Sequence, residues 1–290
     1  MLYFLLVLST LMATGKSVIF KKIGVDSKSS KHFFRLNGFS FVIATITAII
    51  VSGFNFNNLI HISSYSVIMS VLFAFSIIFT YLTQIKALSL GNASSTMLIY
   101  SCGFLIPIFF SAIAYNEKIF VIDIFAIALL LISLFLIINP QKESKLSVKW
   151  LLFSFMSMIG SGTTAILQKI HQHSPFAGEF MSLSVWEFII AGTILAILML
   201  AAPKTSQYQP FSKRELSVGI MNGIFLGSLN LLNLTLAGKL PAIILFPVYN
   251  IGSIILTGIL CAIIYHEKNT KKEITGFAIG CIAILLIGIF

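Results

Sequence analysis

Residues 112–118 read Ala-Ile-Ala-Tyr-Asn-Glu-Lys, and residues 262–268 read Ala-Ile-Ile-Tyr-His-Glu-Lys. Sliding residues 81–140 onto 231–290, a shift of 150, needs no gap and matches 13 of 60 positions. Apolar helices reach such identity easily, so the weight rests on the Tyr-x-Glu-Lys corner. Its three fixed positions are non-aliphatic and lie between two apolar runs. An internal repeat in a membrane chain implies two half-structures facing one central site.

Hydrophobic residues make up 58% of the chain and charged residues 10%. A soluble protein of this length needs far more polar surface, so the composition is that of an integral membrane protein. The formal net charge of +10 is not read as a nucleic-acid footprint. Lysines in short loops set membrane orientation and meet anionic lipid, so the bilayer is the expected partner. Cys102, Cys261 and Cys281 lie in apolar runs without metal or disulfide spacing, and are expected to be small core residues. Met1–Leu8 has no basic n-region, so the first apolar run reads as a retained helix.

Spans of about 20 apolar residues are expected at 2–20, 33–53, 64–84, 93–113, 119–138, 149–168, 180–201, 216–236, 241–263 and 273–290. The fold class is therefore all-α, with ten transmembrane helices in a single membrane domain. Residues 1–140 form one five-helix repeat and 141–290 the second, with Asn139–Lys149 as the linker. The first spans repeat at an offset of 147, which aligns Gly15 with Gly162, Ile19 with Ile166 and Lys22 with Lys169. Five is odd, so the second repeat is inverted. Loops on one side hold 15 of the 19 Lys+Arg. The others are Lys118, Lys169 and Lys239 in the opposite loops and Lys16 within span 1. The positive-inside rule then puts both termini outside a cell membrane.

Ten spans in two inverted repeats, each closing on Glu117-Lys118 or Glu267-Lys268 before its last helix, resemble the drug/metabolite transporter superfamily, and its EamA-like branch most. The resemblance implies a secondary transporter, with spans 1–4 and 6–9 around a central cavity and spans 5 and 10 peripheral. It also implies alternating access by rocking of one repeat against the other. No nucleotide or other cofactor is expected, and the chain has no P-loop. Protons or another ion supply the coupling. Fused repeats let a monomer work alone. Members of that branch are described with termini inside, opposite to the lysine bias.

Intramembrane charges are costly and point to function. Lys16 lies five residues before Lys21, about 7–8 Å inside the boundary at about 1.5 Å per residue. It reads as an anchor for a substrate carboxylate or phosphate, or as a snorkelling lysine. Glu187, beside Trp186 in span 7, reads as a ligand for a substrate amine, a proton relay, or a paired carboxyl. Span 1 holds no acid, which weakens the alternative of a multidrug-cation exporter. Thr80 and Thr83 align with Asn230 and Asn233, and spacing of three puts each pair on one helix face. These read either as a midplane site or as interhelical glue. Tyr100 falls opposite Asn250, beside Tyr249. Together these ten residues are the expected substrate-binding set.

Pro107, Pro241 and Pro247 are expected to kink or start helices. Gly15, Gly160 and Gly162 are expected to allow close packing. Arg35 and Asp123 read as interfacial. Glu117 and Glu267 are expected to favour the dipole of the helix that follows each. The five histidines are placed in loops, with no metal site. Neither H-E-x-x-H nor G-x-S-x-G occurs, so an intramembrane enzyme is disfavoured. A channel, which needs rings of like polar residues, is disfavoured too.

Overall fold

Apolar runs of this length have one way to satisfy their backbone polar groups in lipid, which is to close them into helices. A computed structural model of the chain describes all residues except 24–29, 54–58, 60, 92, 139–146, 202–210, 266–269 and 290. Its helices are α1 (Leu2–Ile23), α2 (Ser30–Val51), α3 (Ser64–Leu90), α4 (Ala93–Ser101 and Leu105–Ala114), α5 (Val121–Ile138), α6 (Val148–Gln172), α7 (Phe180–Ala201), α8 (Lys213–Ala237), α9 (Ala242–Tyr265) and α10 (Lys271–Ile289). The two parts of α4 are joined by a 3-10 turn at Cys102–Phe104, with Pro107 just beyond it. Among the described residues no strand is formed.

Seven helices are long and apolar enough to cross a membrane: α2, α3, α4, α6, α7, α8 and α9. The described parts of α1 and α5 carry shorter apolar stretches, Leu2–Val18 and Val121–Ile137. Large side chains such as Phe4, Phe75, Phe109, Ile113 and Leu200 face outward. That surface is soluble only in lipid, and the chain is a helical membrane protein.

Helix packing follows a closed circuit. α1 meets α9, α9 meets α4, α4 meets α6 and α6 meets α3. From there α3 meets α7, α7 meets α2, α2 meets α8, and α8 returns to α1. Outside this ring α5 and α10 pack on each other, with α10 also against α9. Exchanging α1–α5 with α6–α10 in order turns the α3–α6 contact into α8–α1, α2–α8 into α7–α3, and α1–α9 into α6–α4. The contacts α2–α7, α4–α9 and α5–α10 map onto themselves. All of these contacts are formed.

The seams are made by residues without bulk. A Cβ on Gly160 would lie 2.4 Å from Thr80 Oγ1, and one on Gly162 would lie 2.5 Å from Ile106. Gly219, Gly223 and Gly227 line one face of α8 against α2, where an added Cβ would strike Phe39, Ile43 and the carbonyls of Ser40 and Ala44. This i, i+4 stripe is the small-residue packing of membrane helices. Gly15 is different, because its nearest neighbour, Phe225, is 3.9 Å from an added Cβ. It is not required for close approach.

Several sequence expectations change. Lys169 and His171 are not loop residues; α6 runs on to Gln172 and both are buried in it. His32 lies inside α2, and Lys86 inside α3 near its C-terminal end. Cys261 is buried, Cys102 half-buried and Cys281 exposed, so only the first is a core residue. The second corner at Glu267-Lys268, His266 and the linker residues 139–146 lie outside the described residues. Asp123 is buried, and its carboxylate accepts the Phe120 N–H at 2.8 Å. Glu273 does the same for Thr270 at 2.6 Å. These two acids cap α5 and α10 and stand 150 residues apart.

Candidate functional site

One cluster of buried polar side chains lies on the second half. Glu187 in α7 is 0% exposed. Its Oε2 accepts a hydrogen bond from Asn230 Nδ2 at 3.3 Å, and the same amide donates to Ser184 Oγ at 3.0 Å. Gln168 Nε2 donates to Asn230 Oδ1 at 3.4 Å. Asn230 thus ties α6, α7 and α8 together. Glu187 Oε1 has no hydrogen-bond partner among the described residues. A buried orphan of this kind costs stability and calls for an explanation.

A second cluster lies where α3, α4 and α9 face each other. The hydroxyls of Tyr81, Tyr100 and Tyr249 are within electrostatic range of one another. Tyr100 is hydrogen-bonded to Ser161, and Tyr249 to Asn233. Asn233 Oδ1 is buried and unpartnered among the described residues. Pro247 sits inside α9, where it lacks the N–H that would bond the preceding turn. Asn250 Nδ2 donates to Phe246 O at 3.0 Å, within α9.

The ten sequence candidates therefore separate. The structure joins Glu187 with Asn230, and Asn233 with Tyr249 and Tyr100. Trp186 points elsewhere, donating its ring N–H to Leu59 O at 3.0 Å. Thr80 and Thr83 spend their hydroxyl protons on carbonyls of their own helix, Ser76 at 2.7 Å and Phe79 at 2.7 Å. The aligned Thr and Asn pairs are thus matched in sequence but used differently. Lys16 is half-buried and makes no hydrogen bond or ion pair among the described residues.

One end of the bundle is tied together by polar links. Lys169, 1% exposed, donates to Glu117 Oε1 at 2.5 Å and to Leu240 O at 2.8 Å. Glu117 Oε2 accepts the Ala242 N–H at 2.6 Å. Glu117 therefore serves the start of α9, not the helix that follows it, because Asp123 already caps α5. Beside it, Glu179 accepts from Ser63 Oγ at 2.6 Å and Ser63 N at 3.1 Å. His171 Nε2 and Ser66 Oγ lie 3.1 Å apart. Tyr115 stacks on His173, with ring centroids 4.0 Å apart. Burial, then the nearby Tyr65 and Glu117, push the Tyr115 phenol above its ordinary value. The opposite end has its own links, including His32–Glu215 at 2.8 Å and Arg35 over the Phe211 ring.

Gln168, Ser184, Tyr81, Ser161 and the Glu117–Lys169 pair escaped the sequence reading. An apolarity criterion stops span 6 at residue 168, one short of the lysine, whose partner lies 52 residues away.

No family model matches the chain, and no curated protein matches it. A solved structure described only as the crystal structure of a protein is similar over 98% of this chain and 96% of that one. The TM-score is 0.76 and the identity 11%. At that identity the likeness shows a shared fold alone.

Proposed function

We propose that the chain is a secondary transporter of the drug/metabolite transporter superfamily, in its EamA-like branch. It moves a small polar metabolite, an amino acid or related zwitterion or anion, across the plasma membrane. The carrying observation is the ring of eight helices that encloses polar groups short of partners among the described residues, Glu187 Oε1 and Asn233 Oδ1. All ten helices cross the membrane in this reading, as two inverted five-helix repeats. The exchange-invariant packing supports this, as do the caps at Asp123 and Glu273.

Removing Lys169 from the loops leaves Lys118 and Lys239 on the lysine-poor face, so the termini and the end tied by Glu117 and Lys169 face outward. Alternating access needs each face to close in turn. In sequence, Lys22 and Glu267 stand where Lys169 and Glu117 stand, at offsets of 147 and 150. The substrate contacts are Tyr100, Tyr249, Asn233 and Asn250, with Lys16 as the cationic anchor. Glu187 is too deeply enclosed to open directly onto a multidrug cation.

Counterflow tests the function. Proteoliposomes loaded with an unlabelled amino-acid mixture and given a labelled mixture outside should accumulate label transiently above equilibrium. Accumulation no greater than in protein-free vesicles sinks the reading.

A further inference from the structure

Glu187 poses a problem that substrate binding does not solve. Its carboxyl is fully enclosed, one oxygen holds a single amide N–H and the other has no partner among the described residues. A carboxylate there would be an uncompensated charge in a low-dielectric interior.

The surrounding ionisable groups do not relieve it. On α2 these are Lys31, His32 and Arg35, and on α8 Lys213, Arg214 and Glu215, all at the starts of those helices. His32 pairs with Glu215, and Arg35 lies over Phe211. From α3 come Tyr65 and Tyr81, with Lys86 exposed near its C-terminal end. From α6, which reaches the site through Gln168, come Lys149 at the opposite end, and Lys169 and His171. The last two are committed to Glu117 and Ser66.

Nor does the fold demand an acid at this place. At the offset of 147, Ser40 of α2 occupies the position of Glu187 and Asn37 that of Ser184; at 150, Thr80 stands for Asn230. Ser40 is also buried and bonds Leu36 O of its own helix at 3.1 Å. Thr80 likewise bonds Ser76 O of its own helix, so neither residue reproduces the carboxyl–amide pair of the other half. A carboxyl retained in one half only, with an amide that accommodates it and an oxygen left open, has the properties of a reversible proton carrier.

We infer that Glu187 is the proton-coupling site of this transporter. It holds a proton in the enclosed state described here. It releases that proton when the halves move and water reaches the α6–α7–α8 network. Asn230 is a positioning residue, donating to Oε2 and leaving Oε1 to bear the proton. This inference rests on the transport reading above and adds its coupling ion.

Two measurements test it. Infrared spectra of the purified protein at neutral pH should show a protonated-carboxyl C=O band that Glu187→Gln abolishes and Glu273→Gln, at an exposed helix cap, leaves intact. If no such band depends on Glu187, the inference falls, whatever the flux results. In proteoliposomes carrying the labelled amino-acid mixture, an imposed gradient of one pH unit should raise the accumulation ratio up to about tenfold, the limit for one proton per substrate. Glu187→Gln should lose that response while keeping counterflow, and Glu187→Asp should restore part of it. Retained counterflow with no pH response in the wild type overturns the inference and leaves the transport reading standing. No counterflow in any form overturns both.

Discussion

Glu117→Gln is expected to destabilise the folded protein by about 3–5 kcal/mol, the usual cost of breaking a buried ion pair by removing one partner. The glutamine can still accept the Ala242 N–H, so the variant isolates the charge. Lys169, 1% exposed, is then left with Leu240 O alone. Lys169→Met should cost less. The orphaned Glu117 is 17% exposed and keeps its amide bond at the start of α9, where a negative charge is favoured by the helix dipole. The double variant should recover much of the single-variant loss, because a buried pair replaced by apolar or neutral groups is often tolerated. Denaturant unfolding in detergent micelles reads all three. Equal losses in both single variants, with full additivity in the double, would show that the pair is not coupled.

Gly223→Leu is expected to prevent α2 and α8 from docking. Overpacking a core costs typically about 1–3 kcal/mol when side chains can shift. Here a mere Cβ would lie 2.4 Å from Ile43 and 2.5 Å from the Ser40 carbonyl, and a carbonyl oxygen moves only with its helix. The loss should exceed that range and appear as aggregated or unrecoverable protein in size-exclusion chromatography. Gly15→Ala serves as the contrast. With its nearest neighbour at 3.9 Å, it should be neutral or stabilise by about 0.5–1 kcal/mol through helix propensity. If both variants behave alike, the stripe on α8 is not the seam.

The sequence carried the helices well because each is an apolar run bounded by polar loops, and burial in lipid leaves such runs little choice. Starts set by side-chain caps came close: Ser63 and Ser147 cap α3 and α6 by accepting from Ser66 N and Trp150 N. Ends failed where a charge has a distant partner. Lys169 looks like a loop residue until Glu117 is placed beside it. The same long-range pairing explains the site. Glu187 and Asn230 were legible as polar positions in apolar runs, but their bond depends on how α7 and α8 rotate. Thr80 was misleading for a physical reason, since a threonine in a helix can satisfy its hydroxyl on the preceding turn while a longer asparagine amide reaches across. The Gly219, Gly223 and Gly227 stripe was present in the sequence, and its spacing of four was the signal that went unread.

Inversion of the two halves is the claim on which the alternating-access path and the outward placement of the Glu117–Lys169 end depend. It is tested by single cysteines placed at Lys118 and Lys271 in a background with Cys102, Cys261 and Cys281 replaced by serine. A membrane-impermeant thiol reagent applied to intact cells should label the cysteine at 118 and spare the one at 271. In inside-out vesicles the pattern should reverse. Labelling of both positions from the same side would contradict the account.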